Sequence, residues 1–302
     1  MAGQTASLAE PQVLQRRTSR DNAALNFLRQ VWRKPLGLSS MVVIAILVLM
    51  AVFAELVSPY DPLETHALDR LQPPNAQYLL GSDQLGRDVL SRIVFGARIS
   101  LLVGLISVTI STLFGAVVGV VSGYFGGAVD MVIQRIVDAF QAFPGLILAL
   151  ALVSVFGSGI VQVTVAIAIV IAPQQSRVIR GAVLSVKENQ YIEAARCIGA
   201  PNGRLIIQHI IPNVTAPILI LASTTFGLAI LIEGALSFLG LGTPPPTPSW
   251  GGMLQGTGRA FIERAPTLSI FPGLAISISV LAFNLFGDTL RDIWDPRLRG
   301  AR

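Results

Sequence analysis

Residues 191–213 read YIEAARCIGAPNGRLIIQHIIPN, a polar interruption between two largely apolar stretches. Asn189 is placed to N-cap a short helix, with Ser185 and Glu188 spaced as an alternative capping box one turn earlier. That helix carries Tyr191, Ile192, Glu193, Ala194, Ala195 and Arg196. Gly199 falls where a helix ends in a left-handed cap, and Pro201 suits the first turn of a second helix. Pro212-Asn213 is expected to stop that second helix ahead of the next apolar stretch. The product is a helix–turn–helix outside the bilayer. Ala194 and Ala195 would let another surface approach closely, and Glu193 would offer it a carboxylate. Cys197 is expected to pack as a small residue of the first helix. From the residues alone, two uses remain open: an amphipathic loop on lipid headgroups, or a docking element for another protein.

The flanking sequence sets the class. Of 302 residues, 52% are hydrophobic and only 13% charged, and the mean hydropathy is +0.66. Soluble domains carry about 25% charged residues. The apolar residues gather into blocks long enough to cross a hydrocarbon core of about 30 Å. The expected spans are 37–57, 99–123, 136–155, 159–178, 214–239 and 268–286. Pro173-Gln174-Gln175-Ser176 is expected to interrupt the inner end of the fourth. The fold class is therefore all-α, a polytopic membrane protein with six transmembrane helices.

A net charge of +5 invites a nucleic-acid reading. The arginines flank apolar blocks and form no stripe with interleaved aromatics, which argues against it. They act instead as topology signals. Sixteen of the 22 lysines and arginines fall on one side if the N-terminus is cytoplasmic, and the positive-inside rule then places both termini and residues 178–213 in the cytoplasm and 58–98 outside. The opening residues are polar and arginine-rich, without the apolar core of a secretory signal. The chain divides into a cytoplasmic segment (1–35), a first span with a long outer loop (36–98), a five-helix core (99–290) with its cytoplasmic loop at about 179–213, and a cytoplasmic tail (291–302).

Catalytic and metal-binding patterns are missing from the sequence. Cys197 is the single cysteine, and His66 and His209 lie too far apart for an HExxH helix. Lys34 and Lys187 follow Arg33 and Val186, so no P-loop exists, and ATP hydrolysis would belong to another polypeptide.

Several other motifs carry expectations. Gly115, Gly119 and Gly123 clear one helix face for close packing, within the subunit or against a partner. In GSDQLGRDVLSR, Asp83/Arg87 and Asp88/Arg92 are spaced four apart, each pair worth a few tenths of a kcal/mol on an exposed helix. They would mark a solvated helix leading into the second span, or a contact surface for a substrate-delivering protein. Among acids near the membrane, Glu55 and Asp288 fall at span ends and Asp138 is placed to pair with Arg135. Glu233 alone lies well inside a span, either hydrogen-bonded locally or lining a passage. TPPPTPSW (243–250) reads as a stiff outer loop with an interfacial Trp250.

Glu193-Ala194-Ala195, three residues, Gly199, and Pro212 thirteen positions later resemble the EAA loop of binding-protein-dependent ABC importer permeases. That family continues with I-x-L-P, where this chain has His209 and Ile211 in place of Ile and Leu. LLGSDQLGRDVLSRIVFGARISLLVG (79–104), GYFGG (123–127), PPPTPSWGGML (244–254) and FPGLAISISVLAFNLFGDTLRDIWDPRL (271–298) resemble the "C" type subunit of the dipeptide/oligopeptide permeases. The resemblance implies the type I importer permease fold in a cell inner membrane, with one helix preceding the five-helix core. It implies an ATPase-coupling role for Tyr191, Glu193, Ala194, Ala195, Gly199 and Pro212. It further implies a homologous permease partner of the B type, two ATP-binding subunits that hold ATP and magnesium, and an extracytoplasmic solute-binding protein. No cofactor would sit in this chain itself. Permeases of this kind carry dipeptides, longer peptides, glutathione or nickel. The competing class is an ion-gradient-driven secondary transporter, which calls for repeated broken helices and polar groups at midplane.

Overall fold

The computed structural model describes residues 30–32, 34–255, 261 and 263–294. Most of the N-terminal segment, Arg259 and the tail from 295 lie outside the described residues, and so do the topology signals they carry. The described residues are helical, apart from one isolated bridge between Ser82 and Asp88 and the loops. Five helices are long and apolar enough to cross a bilayer, and a bent pair makes a sixth crossing if its halves count together.

Helix α1 (Pro35–Val52) starts with proline in its first turn, where the missing N–H is not needed. Helix α2 (Val89–Phe125) begins ten residues before the expected 99, because Asp88 caps it: its carboxylate accepts from the Ser91 amide at 2.7 Å. The expected span 136–155 is corrected to two helices, α3 (Gly127–Gln141) and α4 (Gly145–Phe156), bent by 88°. Pro144 has no N–H to continue the ladder and drives Phe143 out of helical geometry. Helix α5 (Ile160–Lys187), in contrast, runs through Pro173 without the expected interruption. A helix break does exist, but it falls at residues 142–144.

The short helix α6 (Gln190–Cys197) follows. Next come one turn at Asn202–Arg204, a π-helical segment Leu205–Ile210 and α7 (Ile211–Phe238) in unbroken succession. Pro212-Asn213 is therefore no stop. Pro212 stands in the first turn after the π segment, where the ladder changes register and an amide can be spared. Asn213 Nδ2 donates to the His209 carbonyl at 2.6 Å. Helix α8 (Thr267–Trp294) extends eight residues beyond the expected 286.

Among the described residues the most extensive helix contact is α2 against α5, and the glycine stripe faces it. A Cβ at Gly119 would stand 2.6 Å from the Ser176 carbonyl oxygen; at Gly115 and Gly123 it would meet Gln175 Cβ and Val183 Cβ, each at 3.0 Å. The stripe packs within this subunit.

Three further expectations change. Asp83, Arg87, Asp88 and Arg92 are buried and lie on no exposed helix. Asp83 bonds Arg87 Nε at 2.7 Å and lies 3.6 Å from Arg92, while Asp88 is spent on capping α2. Their charges are buried and paired within the loop that leads into α2, which corrects the expected solvated helix. Trp250 is fully buried instead of interfacial, with its indole N–H donating to the Ile93 carbonyl at 3.0 Å. Asp138 pairs with Arg177 of α5 and not with Arg135 on its own helix. Glu233, 1% exposed, accepts from Ser100 at 3.0 Å and Ser237 at 2.8 Å.

Candidate functional site

The loop between α5 and α7 is built as a rigid unit. Asn189 holds the N-cap position in extended geometry, but its side chain turns back to donate to Val186 O at 2.8 Å, at the end of α5. Ser185 and Glu188 close α5 and start nothing. At the other end of α6, Gly199 has φ of +84°. Its amide donates to Arg196 O at 2.9 Å, and the Ala200 amide reaches back to Ala195 O at 3.1 Å. These are the two bonds of a Schellman cap, which satisfy carbonyls the helix end leaves open. Pro201 then stands at the N-cap of the following turn.

One face of α6 is locked inward. Ile192 is fully buried in a cluster with Val120 and Tyr124 of α2, Ile179 and Val183 of α5, and Leu205, Ile210 and Val214. Polar anchors surround it. Tyr124 donates its hydroxyl to Asn202 at 2.7 Å, its carbonyl accepts Lys187 Nζ at 2.7 Å, and the Arg196 guanidinium lies 5.5 Å over its ring. Asp130 at the start of α3 binds Arg180 of α5 at 2.6 Å and also accepts from Ser122. His209, the polar departure from the family pattern, sits with its ring 6.1 Å from that of Tyr191.

The opposite face is open. Glu193, Ala194, Cys197 and Ile198 are exposed, Ile198 at 86%, with Ala195 half-buried between the faces. The exposure of Cys197 corrects its expected packing role. Among the described residues, Glu193 makes no ion pair. Pro212 is exposed at the π-to-α junction. Among the described residues, no three His, Cys, Asp or Glu side chains gather as a metal site. The packing ties α6, through Ile192 and Tyr124, to α2, α5 and α7 together.

Sequence reasoning missed Tyr124, Asn202 and Lys187 as anchors, because their contacts join residues more than 60 positions apart. It also missed Gln175, which is fully buried. Its amide nitrogen donates to Thr112 of α2 at 3.1 Å and Thr225 of α7 at 3.0 Å, tying three helices at one point.

Residues 115–300 match the family described as binding-protein-dependent transport system inner membrane component. Residues 25–74 match the N-terminal transmembrane domain of oligopeptide transport permease C. The dipeptide transport system permease protein DppC of Alkalihalophilus pseudofirmus is 43% identical over 271 residues, covering 90% of this chain and 89% of its own. The glutathione transport system permease protein GsiD of Escherichia coli is 43% identical over 275 residues, covering 91% of this chain and 90% of its own.

Proposed function

Because the chain belongs to the family of binding-protein-dependent transport system inner membrane components, and is thus a transport permease of the membrane, we propose that it forms one half of a passage for short peptides. A homologous permease would supply the other half, an external binding protein would deliver the solute, and two ATPase subunits would hold ATP and magnesium. The observation that carries the coupling role is the two-faced α6: Ile192 is locked into three spans while Glu193 and Ile198 stand outward. Closure of the ATPases on ATP would load that outer face and switch the spans, and hydrolysis would reset them. Such a load shifts the spans only if the contacts differ between the two states.

Glutathione is a second candidate solute, since a glutathione permease relative is as similar as the dipeptide one. Uptake of a labelled dipeptide, with glutathione as competitor, into vesicles holding the assembled importer tests both. Depleting ATP is expected to abolish uptake, and collapsing ion gradients at constant ATP to leave it. The reverse pattern identifies an ion-driven transporter.

The orientation has its own test. In a Cys197→Ser background, Gln208→Cys and Gln72→Cys are expected to react with an impermeant thiol reagent from opposite sides of the membrane. Reaction of both from one side overturns the six-crossing topology.

Gly199 offers a third. Its φ of +84° suits glycine, and a β-branched side chain there costs about 1–2 kcal/mol of local strain. The space around it is open: a Cβ at this position would meet no atom within 4 Å, so backbone strain is the expected effect. Gly199→Val is expected to insert normally but to hydrolyse ATP without matching uptake. Wild-type uptake in that variant removes the turn from the coupling route.

A further inference from the structure

The break between α3 and α4 lies beside a cavity of about 600 Å³ lined by Gln141, Phe143, Val170, Gln174, Leu228 and Leu231, among others. Val170 and Gln174 are ten and fourteen residues from the outer end of the 28-residue α5, or roughly 15–21 Å at 1.5 Å per residue. The break therefore lies level with the middle third of α5, a helix long and apolar enough to cross a bilayer. Residues 139–147 are all exposed in the isolated chain.

A helix end leaves carbonyls or amides without partners, and hydrocarbon offers none. Non-helical backbone at this depth is stable only against protein or water. Two carboxamides, Gln141 and Gln174, line the same cavity, and neither makes a hydrogen bond among the described residues. No charged side chain is among the lining residues. A carboxamide carries both donors and an acceptor, which is what a peptide group presents in return. The walls are also connected to the loop: α5 and α7 are the two spans that α6 joins.

We propose that this cavity is the water-filled wall of the solute passage, and that Gln141 and Gln174 contact the amide groups of a passing peptide. Amide contact serves peptides of any side-chain sequence, because the backbone is what they share. The inference rests on the peptide reading above, and on the break between α3 and α4 independently of it.

The test uses the assembled importer in proteoliposomes, in the Cys197→Ser background. Gln141→Cys and Gln174→Cys are expected to react with a charged methanethiosulfonate reagent, and millimolar dialanine to slow that reaction. Leu113→Cys, on an exposed apolar position of α2, is the unreactive control. The double variant Gln141→Leu/Gln174→Leu is expected to raise the KM for dialanine about tenfold, for two lost hydrogen bonds, with ATPase co-purification unchanged. Gln174→Asn, which keeps a carboxamide, is expected to fall between. Unreactive cysteines in an importer that still takes up dialanine overturn the proposal, and mean that a partner helix or lipid fills the cavity. Reactive cysteines with an unchanged KM in the double variant overturn the amide contact. If the wild-type importer takes up no dialanine, the peptide reading fails and the amide contact with it, while labelling in the Cys197→Ser background still decides whether the cavity is aqueous.

Discussion

Replacing Glu193 with lysine is expected to leave the protein in the membrane in normal amount and to strip it of its ATPase. The side chain is exposed and unpaired among the described residues, so the fold loses little. A carboxylate in the first turn of α6 gains about 0.3–1 kcal/mol from the helix dipole. A charge-assisted contact at a desolvated interface is worth more, about 2–5 kcal/mol when one partner is removed. That corresponds to roughly 30-fold to several thousand-fold in affinity. Reversal adds repulsion if the facing cleft is basic, and an acidic replacement in that cleft should then restore part of the binding. Co-purification from solubilised membranes reads the effect directly. Retention of the ATPase with normal uptake would remove Glu193 from the interface.

Gly119→Val is expected to have a comparable effect on the fold instead of on the partner. A Cβ there would lie 2.6 Å from the Ser176 carbonyl oxygen and 3.0 Å from the Arg180 amide nitrogen. Both are backbone atoms, so no side chain can rotate away, and α2 and α5 must separate. Overpacking of this kind costs about 1–3 kcal/mol, sometimes more. A lower thermal midpoint and less membrane-inserted protein should follow, with Gly119→Ala milder in the same direction. Gly181→Val serves as control, since a Cβ at Gly181 meets nothing within 4 Å. Equal stability of the Gly119 and Gly181 variants would refute the close approach of the two helices.

What could be read from the sequence was local. The positions of α6 and its glycine cap follow from spacing within about ten residues, and the glycine stripe follows from a period of four. The orientation of the buried cluster at 83–92 does not. Its i,i+4 charge spacing fits an exposed helix equally well, and only the turn at Asp83 and the cap at Asp88 turn it inward. Proline was the other limit. Pro173, Pro217 and Pro272 lie inside continuous helices, while Pro144 follows the end of one. Hydropathy cannot separate these cases, because the neighbours that support a helix across a proline come from distant segments. Trp250 looked interfacial for the same reason: its acceptor, Ile93 O, is 157 positions away.

The uninterrupted run Asn202–Phe238 spans 37 residues, about 55 Å of rod at 1.5 Å per residue. It is fastened part-way along by the Gln175–Thr225 bond. Thr225 divides it into an arm of about 35 Å on the side of α6 and one of about 20 Å on the other by the same rise. A tilt about that point swings the two ends in opposite directions. In a rigid tilt the ratio of the arms alone would turn each ångström at the α6 end into a little over half an ångström at the other.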